Sequence, residues 1–164
     1  MEKLLNEVLG ETIKSIVVDE REINLAEKEI HFCDKITLVF LSKNKLDITT
    51  DDIPHFYGEG DLNLNLEKLP NVNYQPNWES SKITRIKIFY WQPLGFFMRE
   101  KDKYLVQIEF YQKEEFIISV GFFFRDFSTN KWECLITGEL AINMQDKLNK
   151  TLYSKNLREI EIVL

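Results

Sequence analysis

Apolar side chains recur on every second residue through most of this chain. Leu38 and Phe40 flank Val39, Leu46 and Ile48 flank Asp47, and Leu62, Leu64 and Leu66 are separated by Asn63 and Asn65. A period of two is the signature of a strand with one buried face. It predicts strands at Thr12–Val18, 35–41, 45–50, 61–66, 82–91, 104–111, 115–124 and 131–137. The polar stretches SKN, after Leu41, and QKEE, before Phe116, read as hairpin connections. Two segments depart from this period. Leu4, Leu5, Val8 and Leu9 have helical spacing and are followed by Gly10, a helix stop. Near the other end, Thr137 is placed to cap a helix over 139–153, with Leu140, Met144, Leu148 and Leu152 on one face. The chain closes on LREIEIVL, whose Ile160, Ile162 and Leu164 alternate as a final strand.

Sliding the chain by 70 residues superposes the pattern on itself without a gap. Ile13 and Ile16 meet Ile83 and Ile86, Leu38 and Phe40 meet Ile108 and Phe110, and Leu46 and Ile48 meet Phe116 and Ile118. Leu62, Leu64 and Leu66 meet Trp132, Cys134 and Ile136. Two readings follow. One is an internal duplication, with half-repeats 11–66 and 81–137 joined by a linker over 67–80 that contains Pro70 and Pro76; the other is one continuous antiparallel sheet. Either way the expectation is a single α+β domain over 1–164: two antiparallel four-stranded meanders, a short N-terminal helix, a C-terminal helix and a final strand. The constant phase predicts that Leu38, Phe40, Ile48, Leu64, Ile86, Ile108, Phe110, Ile118 and Ile136 are buried. Their neighbours Asp47, Asn63, Asn65, Gln107, Glu109 and Glu133 should be exposed.

Composition narrows the class. With 164 residues and 44% apolar content, the chain can bury a core of its own. The longest apolar run, FIISVGFFF, is about half of the roughly 18 residues a membrane helix needs, and the first residues lack a secretory-signal pattern. A cytoplasmic protein is expected, with Cys33 and Cys134 as reduced thiols. The net charge of −6 argues against general nucleic-acid binding. Its distribution is uneven: residues 1–80 sum to −8 and residues 81–164 to +2.

No enzyme signature stands out. His31 and Cys33 form an H-x-C step, but no further ligand lies at metal spacing, so neither a metal nor a cofactor is expected. GEG, at residues 58–60, lacks the third glycine and following helix of a phosphate loop. The segment TTDDIPHFYGEGDLN gathers Asp51, Asp52, His55, Glu59 and Asp61 with Phe56 and Tyr57. Carboxylates beside a histidine could serve acid–base chemistry if burial shifted them, whereas Pro54, Gly58 and Gly60 read as an ordinary solvated turn. In the second half, Phe89, Trp91, Phe97, Phe123 and Phe127 accompany Arg85, Lys87, Arg99 and Arg125. That is either a stacking platform for single-stranded nucleic acid or an aromatic core.

The opening LLNEVLGETIKSIVV with ITLVFLSKNKLDI resembles the beginnings of small bacterial immunity proteins, which neutralise polymorphic or contact-dependent toxins. The resemblance implies a non-enzymatic protein that blocks a toxin by direct contact and carries no catalytic residues. A clustered acidic surface suits that role, because it steers a basic partner into encounter. Asp51, Asp52, Phe56, Tyr57, Glu59 and Asp61 are the expected partner-binding residues, the carboxylates for steering and the aromatics for anchoring. Single-stranded nucleic-acid binding through the second half is the alternative.

Overall fold

The computed structural model describes residues 1–19, 21–22, 30–52, 60–69, 76, 81–91, 104–126, 128, 131–134, 139–144 and 157–164. One helix, α1 (Glu2–Val8), opens the chain. The strands of the first half are β1 (Thr12–Val18), β2 (Arg21–Glu22), β3 (Ile30–Phe32), β4 (Lys35–Phe40), β5 (Asn44–Asp52) and β6 (Gly60–Lys68). Those of the second are β7 (Ser81–Lys82), β8 (Arg85–Trp91), β9 (Tyr104–Gln112), β10 (Glu115–Asp126), β11 (Lys131–Cys134), β12 (Glu139–Asn143) and β13 (Leu157–Val163). The described structure is thus mostly β, with a single seven-residue helix. No described helix is long and apolar enough to cross a membrane.

Two antiparallel sheets enclose the core. The first runs β2-β1-β4-β5-β6 with β7 also on β1; the second runs β13-β8-β9-β10-β12-β3 with β11 also on β10. Each half lends a strand to the other's sheet, β3 to the second and β7 to the first. The chain turns the corner between sheets at Ile83 and Thr84. Gly10 N–H donates to Ile83 O and Ile83 N–H to Glu11 O, both at 2.8 Å, while Thr84 N–H donates to Tyr111 O at 2.9 Å. Every backbone group at the corner named here is therefore bonded, as burial requires. Leu5 and Val8 of α1 join Ile16, Leu38, Phe40, Ile48, Ile86, Ile108, Phe110 and Ile118 in one buried cluster that draws on both sheets. Gly10 ends α1 with φ +85°, a conformation in which a side chain would be strained.

The alternation works for most apolar residues and fails for two polar ones. Leu38, Phe40, Ile48, Ile86, Ile108, Phe110 and Ile118 are buried, Leu64 is half-buried, and Ile136 lies outside the described residues. Asn63 and Asn65 are exposed and Glu109 half-buried, whereas Asp47 and Gln107, expected at the surface, are buried. The side chain of Glu133 is outside the described residues. Asp47 is covered because Thr37, Lys35 and Lys45 close over its carboxylate. Gln107 stands in register opposite Phe89 and Gly121, on a face of the second sheet that also buries Phe123, Ala141, Ser119 and Asn143.

Two further expectations are corrected. The helix proposed over 139–153 begins instead as β12, which pairs with β10 on one side and β3 on the other; residues 145–156 lie outside the described residues. The simple four-stranded meanders are interrupted, since β2 and β3 intervene between the neighbours β1 and β4, and β11 between β10 and β12. The 70-residue correspondence also drifts. Leu38 pairs with Leu46, but Ile108 pairs with Val120 rather than with Phe116. Ile48 pairs with Leu64 and Phe122 with Leu140, so β12, not β11, occupies the place of β6. These shifts are even, and a period of two cannot register an even shift.

Both hairpins turn on a lysine in the left-handed region, Lys43 at φ 67° and Lys113 at φ 56°. An L side chain there is strained by about 1 kcal/mol or more. Lys43→Gly and Lys113→Gly should therefore each raise the unfolding free energy, by about 0.5 kcal/mol after the entropy cost of glycine. Urea titration of the single variants checks this.

Candidate interaction surface

The far end of the β5–β6 hairpin carries the residues singled out from the sequence. Asp51 stands opposite Asp61 in register, and Asp52 opposite Gly60. Phe56, Tyr57 and Glu59 fall in the connection between these strands, outside the described residues. The register thus brings three of the six expected residues, Asp51, Asp52 and Asp61, to one hairpin end. Like charges directly across an antiparallel pair oppose folding. Part of that cost is offset at Asp61, whose Oδ1 accepts a 2.6 Å hydrogen bond from the Leu105 N–H at the start of β9. Asp61 is half-buried and ties the first sheet to the second.

This contact draws in residues that the sequence pattern does not mark. Tyr90, buried and paired in register with Leu105, has its hydroxyl pushed up to about 12, first by burial and then by the charges of Glu2 and Asp61. The hydroxyl also points at Met1 Sδ, 3.9 Å away. The N-terminal end of α1, the start of β6 and the end of β8 therefore meet here. Next to Tyr90, Trp91 and Tyr104 face each other across β8 and β9, their ring centroids 5.9 Å apart. Nothing in the local pattern of Glu2 or Tyr104 signals this; only the aromatic density around Trp91 hints at it.

Away from the hairpin end, the outer face of the first sheet is organised around Asp47. Its Oδ1 accepts from the Thr37 hydroxyl at 2.6 Å, and its Oδ2 lies 2.7 Å from Lys45 Nζ and 3.0 Å from Lys35 Nζ. Burial raises the Asp47 carboxyl, but the bonds from Lys45, Thr37 and Lys35 outweigh it and hold the group below its ordinary value. Lys45 is held above its own ordinary value, chiefly by the same hydrogen bond. Every polar group in the cluster has a partner, and its role is structural.

The residues proposed for stacking nucleic acid are placed otherwise. Phe89, Trp91 and Phe123 are buried, and Phe97, Arg99 and Phe127 lie outside the described residues. Lys87 binds Glu159 at 2.8 Å. Arg85 lies 3.0 Å from Glu114 and 3.5 Å from Glu161, with its guanidinium 4.4 Å from the centre of the Tyr111 ring. These cations are neutralised within the sheet. Cys33 is a free thiol, pushed up to about 12 first by burial and then by the charges of Asp19 and Asp34, the opposite of what a nucleophile needs. His31 pairs in register with Ile142, and among the described residues no group of three or more His, Cys, Asp or Glu is arranged to hold a metal ion.

No protein-family model, curated protein or solved structure matches the chain.

Proposed function

We propose that this chain is a binding protein, not an enzyme, and that its partner is a protein with a basic surface. More particularly, it acts in the manner of a bacterial immunity protein, occupying a toxin domain in the cytoplasm and blocking it by contact. The observation that carries this reading is the hairpin end, where Asp51 and Asp61 stand opposite one another with Asp52 beside them. Such an arrangement works against folding and in favour of a cationic partner. The excess of acid in residues 1–80 supports the same reading. Asp51, Asp52 and Glu59 steer the approach, Phe56 and Tyr57 anchor the complex, and Asp61 holds the hairpin to β9.

The test is to produce the chain together with the toxin-like product of an adjoining reading frame. Formation of a one-to-one complex that protects growing cells is the expected result. Asp51→Lys with Asp52→Lys should then slow association at low salt by about tenfold or more, an effect that fades at high salt, while the melting temperature rises, because a lysine at position 51 faces Asp61 without repulsion. Tyr57→Ala should act on dissociation instead. If the product neither binds nor is neutralised, the reading is wrong.

A further inference from the structure

We draw no further inference here: the strongest candidate, the polar cluster of Gln107, Ser119 and Asn143 buried on one face of the second sheet, where Gln107 Oε1 has no hydrogen-bond partner among the described residues, carries nothing because nothing among those residues shows what covers it.

Discussion

Asp47→Ala is expected to lower the unfolding free energy by about 3 kcal/mol, one of the two largest effects anticipated for a single substitution here. The change removes one carboxylate that three groups share, and leaves Lys45 only Glu67, at 3.5 Å. Lys45 is mostly covered and loses its 2.7 Å contact, Lys35 loses its 3.0 Å contact, and the Thr37 hydroxyl loses its acceptor. Asp47→Asn should cost less, since an amide oxygen can still accept from Thr37, although Lys35 loses its carboxylate and Lys45 keeps only Glu67, at 3.5 Å. The pH dependence has a definite sign. A carboxyl whose folded value lies below its unfolded one, as for Asp47, stabilises the protein above about pH 4, and that contribution is lost as pH falls through the folded value. Wild type should thus lose stability more steeply than Asp47→Asn as the pH falls below about 4. Denaturant titrations of both proteins across that range decide it. Parallel acid limbs would mean that the cluster contributes nothing through its charge.

Gly121→Ala is expected to cost about 2 to 3 kcal/mol, although the residue sits in regular strand with nothing unusual in its backbone angles. A Cβ at this position would lie 2.7 Å from Val106 O, 3.0 Å from Gln107 Cβ and 3.1 Å from Gln107 Cα. These atoms belong to β9, held between β8 and β10, and none is the movable tip of a side chain. The crowding originates in a slip of register. Phe89 pairs with Gln107 but Tyr90 with Leu105, leaving Val106 as an extra residue that bends β9 beside Gly121. Gly10→Ala is the instructive contrast. Its nearest contact is the Leu164 side-chain tip at 3.3 Å, so its cost of about 1 kcal/mol comes from φ rather than from collision. Filling a small space should therefore hurt more at the ordinary-looking glycine than at the strained one. Equal losses for the two variants in urea unfolding would show that β9 yields.

The candidate surface was legible only in part. Asp51, Asp52 and Asp61 could be found because acidic residues crowd the segment between two strands whose alternation is clear. That Asp61 turns its carboxylate to Leu105, 44 residues away, could not, since no local pattern records which backbone N–H needs an acceptor. The same holds for Tyr90 and Glu2, which meet only because α1 and β8 close on the same end of the core.

What the sequence determined by itself was the set of strands whose large apolar residues keep one phase, even where, as in β4 and β10, the second face is buried too. β1 appears at the expected residues, and β4, β5, β6, β9 and β10 within two residues of them at either end, because alternation of Leu, Ile and Phe with polar residues is sufficient to choose strand and core side. Tertiary structure alone decided the rest. Leu140, Ile142 and Met144 alternate with Ala141 and Asn143, but so short a run fits equally well a helical stripe that starts at Leu140 and Met144, and only pairing with β10 and β3 makes it a strand. β3 and β7 are too short to carry a period and become strands only through partners in the opposite sheet. Asp47 and Gln107 have the polarity of surface residues, and only their neighbours across the sheet put them inside. Alternation reports which side of a strand meets apolar surroundings, whereas pairing, even-numbered shifts and double burial depend on contacts far away in the chain.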